Sequence, residues 1–346
     1  MMKKSILLLL LALFISSQFC RGQSLSSSEL KTLTDQKFTE AISNLRQFLR
    51  LKNDGNYSAQ IETNKRWCDS VFTSLNFKTQ TLKTDGAPLL FAEKIYHKNR
   101  KSILFYLQID GQPVDPSAWS QTDPFEPVLK AFKDGIWEET DWNLTEGGLK
   151  DEFRIFARSA SDSKGPAMSF ISALQILQSN ALKPEFNIRV IMDFQEELGS
   201  PHLPKAVLEH KKLLDAEMLF IMDGTRHLSN LPTLTYGARG IATATLTVFG
   251  PTSALHSGQY GNYAPNPVFG AARLISSMKD EQGVVQIPGF YEGVVLTEQD
   301  KKMLSQIPED MDSLNVRLGI SAPEKVSATY QEALQYPSLN IRGINA

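Results

Sequence analysis

The spacing of apolar residues changes several times along the chain, and each change marks an element. Phe38, Ala41, Ile42, Leu45, Phe48 and Leu49 recur at three- and four-residue intervals, which predicts a helix over 26–50. After a polar break at 53–56, Ile61, Cys68, Val71, Phe72 and Leu75 line one face of a second helix. Three continuous apolar runs follow, at 102–109, 188–194 and 218–222. A helical stripe at 166–179 lies between the first two, with Pro166 in its first turn. Strands buried on both faces and separated by helices predict an α/β fold, a mostly parallel sheet flanked by helices. Past Pro232 the pattern shifts. Residues 240–249 (GIATATLTVF) alternate as a half-exposed strand would, a Gly/Asn/Pro-rich loop occupies 251–267, and a helix is predicted from 266 to 278. This is a second region of α+β character beginning near Tyr236.

The first segment changes the bookkeeping. Lys3 and Lys4 precede a ten-residue apolar run at 6–15, followed by small and polar residues to Gly22. Such a run is too short for a membrane span, which needs about 20 residues, and the pattern is that of a secretory signal peptide. Cleavage is expected after Gly22, and the bulky Phe19 argues against a lipid anchor on Cys20. A secreted or periplasmic location follows, with no membrane attachment after cleavage. Removing 1–22 takes Lys3, Lys4 and Arg21 and moves the net charge from −2 to −5. It leaves Cys68 alone, so no intrachain disulfide is available, and its place on an apolar helix face predicts a buried thiol. With no basic excess, nucleic-acid binding is excluded. At 42% hydrophobic the chain is too apolar to be disordered.

The chemical signal is where the acids fall. The three apolar runs end in Asp110, in Glu196-Glu197 and in Asp223, and Asp162 sits in a short loop just before the 166–179 helix. In open α/β sheets ligands bind beyond the carboxyl ends of the strands. A single strand-end Asp is ordinarily a turn former. Five acids gathered at one sheet edge would raise one another's pKa unless a cation neutralised them, which points to a divalent metal site. In the Glu196-Glu197 pair, one carboxylate can bind metal while its neighbour takes a proton from water.

These residues also carry a resemblance. The stretches YLQIDGQPVDPSAW at 106–119, DPFEP at 123–127, RSASDSKGP at 158–166, QEELGSP at 195–201, PTLTYGARG at 232–240 and LHSG at 255–258 resemble ordered blocks of the zinc exopeptidase and deacylase family. That family includes carnosinase, glutamate carboxypeptidase, acetylornithine deacetylase and succinyl-diaminopimelate desuccinylase, and the dipeptidase-like branch is the nearest. The resemblance implies a catalytic domain at 23–236 after the signal peptide at 1–22, and an inserted lid and dimerisation domain at 237–346, incomplete here. Asp162 matches the carboxylate bridging two zinc ions, Glu197 a ligand of one and Asp223 a ligand of the other. Glu196 matches the general base, and Asp110 the acid that orients a ligand histidine. His256 matches a residue that reaches a partner subunit's site and stabilises the oxyanion. The substrate would be a short peptide or acylated amino acid, and the assembly a homodimer through the lid.

Two departures stand against the pattern. Where the family has its first ligand histidine, this chain has Gln108, a neutral amide that could ligate through oxygen, orient a water or do neither. The ion shared with Asp223 is then expected to be weaker, or shifted from zinc toward Mn²⁺ or another divalent ion. The family's last ligand histidine has no counterpart. Of the five histidines, His97 and His210 read as solvated and His202 as a loop residue. His227, four residues after Asp223, is the one candidate replacement. Two functions follow: a metallohydrolase of peptide amides, or a relative that binds peptide or metal without hydrolysis because of Gln108. Without the remainder of the lid and sheet, the 346-residue chain is expected to fold marginally and to hydrolyse poorly.

Overall fold

The computed structural model describes residues 25–145, 152–223, 227, 231 and 233–345. The expected signal segment at 1–22 lies outside them. The chain divides into two compact units between 224 and 225, whereas the sequence reading set its boundary at 236.

The first unit opens with α1 (Ser27–Leu49), whose start is fixed by a reciprocal cap: Ser26 Oγ accepts from Glu29 N–H, and the Glu29 carboxylate accepts from Ser26 N–H. Helix α2 (Ser58–Ser74) follows, then a hairpin of β1 (Lys78–Leu82) and β2 (Leu89–Lys94), and then β3 (Ser102–Gln108). Three short strands, β4 (Val128–Lys133), β5 (Ile136–Thr140) and β6 (Phe153–Phe156), form a separate antiparallel sheet in the order β5-β4-β6. The main sheet resumes with α3 (Lys164–Ser179), β7 (Asn187–Asp193), α4 (Leu203–Glu209), α5 (Lys211–Leu214) and β8 (Met218–Ile221).

The main sheet has the order β1-β2-β7-β3-β8. The three strands read from the sequence are adjacent and mutually parallel, with Gln108 opposite Asp193 and Tyr106 opposite Ile221. The β1–β2 hairpin, not foreseen, adds an antiparallel edge against β7.

The centre of the sheet is covered on both faces, whereas β8, at its edge, leaves Met218, Leu219 and Ile221 more than half exposed, so the burial expected of 218–222 is not met. Leu90, Ala92, Leu107, Ile188, Val190 and Met192 pack against Phe48, Cys68, Phe72, Phe170 and Ile171 of α1, α2 and α3. On the other face Leu82, Leu89, Phe91 and Ile191 meet Ala206 of α4 and Leu214 of α5. Fully burying each large side chain is worth about 1.5–3 kcal/mol, and the two layers hold the strand ends in register. Cys68 is fully buried, as its helix face predicted, and burial pushes its thiol up to about 12.

The second unit carries α6 (Ser257–Tyr260), α7 (Pro267–Met278), α8 (Glu298–Leu304), α9 (Met311–Leu318) and α10 (Tyr330–Ala333). The helix expected at 266–278 is present, with Asn266 capping it through Oδ1. Asn262 has φ of 64°, a conformation Asn tolerates better than most residues. The strand expected at 240–249 does not form. Its alternation suits a strand, but among the described residues none pairs with it, and a strand has no internal hydrogen bonds to hold it alone. Ile241 and Phe249 are consequently 85% and 88% exposed. Among the described residues no helix is long and apolar enough to cross a membrane.

Candidate functional site

The carboxyl ends of β3, β7 and β8 lie side by side, and four of the five acids singled out from the sequence stand just past them. Asp110 follows β3, the Glu196-Glu197 pair forms a short 3-10 turn after β7, and Asp223 follows β8. Asp162 approaches from the loop before α3, with a cis peptide bond to Ser163.

Asp110 is buried, and its carboxylate binds backbone. Oδ1 accepts from Glu196 N–H at 3.0 Å and Oδ2 from Glu197 N–H at 3.1 Å. Burial pushes this carboxyl up to about 7, against the pull of those two N–H donors, with Asp193 adding repulsion. Asp110 therefore ties the turn bearing the glutamate pair to the end of β3.

The Glu196 carboxyl is also pushed above the usual range, first by burial and then by the negative charges of Glu197, Asp223, Asp162 and Asp193. The electrostatics thus bring three acids of the sequence reading, together with Asp193, to bear on one carboxylate. Glu197 accepts from the Gln112 amide at 2.5 Å.

Gln108 is 5% exposed and makes two contacts. Its amide nitrogen donates to Asp223 Oδ2 at 3.2 Å, and its oxygen accepts from Ser163 Oγ at 2.8 Å. The Ser163 hydroxyl also meets Asp162 Oδ1. One polar chain therefore runs from Asp162 through Ser163 and Gln108 to Asp223.

Five supporting residues escaped the sequence reading. Asp193 is buried at the end of β7, accepting from Tyr106 OH and from Gln195 N–H, both at 3.0 Å. An acid inside the apolar run IRVIMDF was the available signal. Asn53 donates to Ile109 carbonyl at 2.8 Å and Ser159 Oγ at 3.0 Å, locking the loop behind Asp110. Lys164 is fully buried, and its Nζ donates to the carbonyls of Phe48 (2.8 Å) and Leu51 (2.6 Å), anchoring the Asp162 loop to the end of α1. Nothing local in the sequence marks Ser163 or Gln112.

The five histidines divide between the two units. His97 Nδ1 accepts from Asn99 N–H at 3.2 Å, His202 and His210 flank α4, and His227 meets Gln331 at 3.0 Å in the second unit. His256 is exposed in the second unit, its Nδ1 accepting from Gly258 N–H at 3.1 Å at the start of α6.

The donor set can be weighed against the expected metal pair. Hard carboxylate oxygens, and a Glu196 carboxyl strained by its neighbours' charge, suit a divalent cation chemically. Yet no three His, Cys, Asp or Glu side chains among the described residues stand close enough to hold an ion. At Gln108 the amide turns toward Asp223 its nitrogen, which has no lone pair for a metal.

The family model described as "Peptidase family M20/M25/M40" matches residues 104–299. The Beta-Ala-His dipeptidase of Mus musculus is 29% identical over 265 residues, covering 74% of this chain and 49% of that protein. The Cys-Gly metallodipeptidase of Schizosaccharomyces pombe is 29% identical over 270 residues, covering 72% and 56%. The chain thus spans about half the length of these relatives. Among solved structures, human carnosine dipeptidase 1 aligns with a TM-score of 0.64 at 22% identity over 89% of this chain and 65% of that one. An M20 family metallo-carboxypeptidase from Sulfolobus solfataricus aligns with a TM-score of 0.64 at 24% identity, over 88% and 65%.

Proposed function

The chain belongs to peptidase family M20/M25/M40, and from that premise we propose that it is an exported metallohydrolase cleaving the amide bond of a dipeptide, short peptide or acylated amino acid. The observation that carries this is the Glu196 carboxyl, held at the strand ends with its affinity for protons raised by burial and by four neighbouring acids. A carboxylate so tuned is suited to take a proton from water and return it to the leaving amine. Asp110 fixes its backbone, and Glu197 is oriented by Gln112. Asp162 and Glu197 are the side chains that would hold zinc, or Mn²⁺ in its place, with Asp223 beside them at the end of β8. When bound, a divalent ion supplies charge stabilisation for the developing oxyanion and acidifies water.

In this reading the relatives' substrates, a β-alanyl-histidine or a cysteinyl-glycine dipeptide, are the first to try. The second unit acts as lid and homodimer surface, and His256 completes a partner subunit's site. Residues 1–22 direct the protein out of the cytoplasm. The competing reading, a relative that binds without hydrolysis, is favoured by one observation, the Gln108 amide turned toward Asp223.

The two readings part in one experiment. The full chain, supplied with zinc or manganese, is incubated with both dipeptides and the released amino acids are counted. Release abolished by a chelator is the expected result. No release with either metal, in a protein that still binds the dipeptides, would select the non-catalytic reading.

A further inference from the structure

Asp223 stands just past the end of β8, and what meets its carboxyl is an amide N–H₂. Gln108 Nε2 donates to Asp223 Oδ2 at 3.2 Å while its oxygen is engaged by Ser163 at 2.8 Å. A carboxylate accepts hydrogen bonds, so the amide nitrogen faces Asp223 and the amide oxygen is left toward Ser163. Gln108 is 5% exposed at the last position of β3, in register with Asp193, so the packed sheet fixes where the amide points. We propose that Gln108 takes the place of a cation: it holds Asp223 by a hydrogen bond, and the strand-end site binds one divalent ion fewer than its carboxylates would otherwise take.

The chemistry behind this is a comparison of partners. A divalent ion beside Asp223 would need lone pairs from the side chain at position 108, and the nitrogen turned there offers hydrogens instead. Turning the amide over would put its oxygen against the Asp223 carboxylate and its N–H₂ against Ser163, replacing an attraction with a repulsion unless an ion intervened. Asp223 is therefore held by a hydrogen bond from Gln108, whose oxygen lies against the Ser163 hydroxyl. Asp223 is a positioning residue on this account, tying the end of β8 to β3, and ion binding falls to Asp162 and Glu197.

The inference rests on the reading of these carboxylates as a metal-assisted site, and counting metal separates the two. The full chain is stripped with chelator, dialysed against zinc, and its metal measured per chain by elemental analysis. Wild type is expected to hold at most one zinc, with Asp223→Asn leaving the count unchanged. Gln108→His is expected to gain one zinc, and adding Asp223→Asn to it should remove that gain. Gln108→Glu provides a second line, because it keeps the side-chain length and confronts Asp223 with a carboxylate. Its melting temperature should rise with added zinc more than that of wild type. Two zinc ions in wild type with one lost in Asp223→Asn would overturn the proposal, as would no gain in Gln108→His together with no extra zinc-dependent rise in Gln108→Glu. A wild type without zinc and without hydrolysis, beside a Gln108→His that binds one, would leave this inference standing and remove the proposed function.

Discussion

Asp110 ties stability to pH in a way that can be worked through. Its carboxyl is pushed from an ordinary 3.8 up to about 7 by burial in the folded chain. Between those values the unfolded chain has released the proton while the folded chain still holds it. Folding stability from this group is therefore complete below pH 3.8 and is lost as pH rises toward 7. At about 1.36 kcal/mol per unit, the contribution falls by roughly 3 kcal/mol between pH 4.5 and 7.5. The two backbone N–H donors at 3.0 and 3.1 Å favour the ionised form and already oppose the burial effect. Asp110→Asn is near in shape and cannot ionise. Urea unfolding of both proteins in chelator across this range isolates the group, because other acids contribute equally to each. The stability of wild type relative to Asp110→Asn should drop by roughly 3 kcal/mol from pH 4.5 to 7.5. A constant difference, or one that grows with pH, would refute the placement of Asp110 as a buried acid beneath the glutamate pair.

Three further outcomes follow from the same geometry. A Cβ at Gly165 would lie 2.2 Å from the Ala160 carbonyl oxygen, so Gly165→Ala must open the loop bearing Asp162. Overpacking of this kind costs about 1–3 kcal/mol, and a thermal scan should show melting several degrees lower; an unchanged midpoint would count against the loop's close fit. Burial pushes the Lys164 amine down to about 7, so between pH 7 and 10 the unfolded chain binds a proton that the folded chain has released. Stability from this group rises across that window, and urea curves for Lys164→Met should lack the rise. Cys68 is fully buried with its thiol pushed up to about 12, so a thiol reagent at pH 8 should label it only as fast as the protein unfolds. Stoichiometric labelling of Cys68 itself in the native chain within seconds would contradict its burial.

The parallel heart of the sheet was legible because 102–109, 188–194 and 218–222 are continuous apolar runs, although the last forms an edge strand that stays largely exposed. The β1–β2 hairpin was missed because Lys78–Leu82 is mostly polar and exposed, its place set by pairing with β2. The β4–β5–β6 sheet was missed for a related reason: its core is only Leu129, Ala131 and Phe153, too small to impose a strong pattern. The strand expected at 240–249 shows the converse, a correct period with no partner among the described residues. At the site, Asp110, Glu196, Glu197 and Asp223 were legible because strand ends expose their last residues to a common edge. The target of Asp110 was not legible, since a carboxylate reaching backbone N–H groups 86 and 87 residues away leaves no local trace. The same holds for Gln108, whose identity was conspicuous while the direction of its amide was a matter of packing.

Glu196→Gln in the full chain bears most directly on the strand ends as a hydrolytic site. The change keeps shape and removes the ability to take a proton. Dipeptide hydrolysis should fall by about 10²–10⁴-fold, with the unfolding midpoint and the amount of metal bound left as in wild type. Hydrolysis at the wild-type rate in that variant would contradict the assignment.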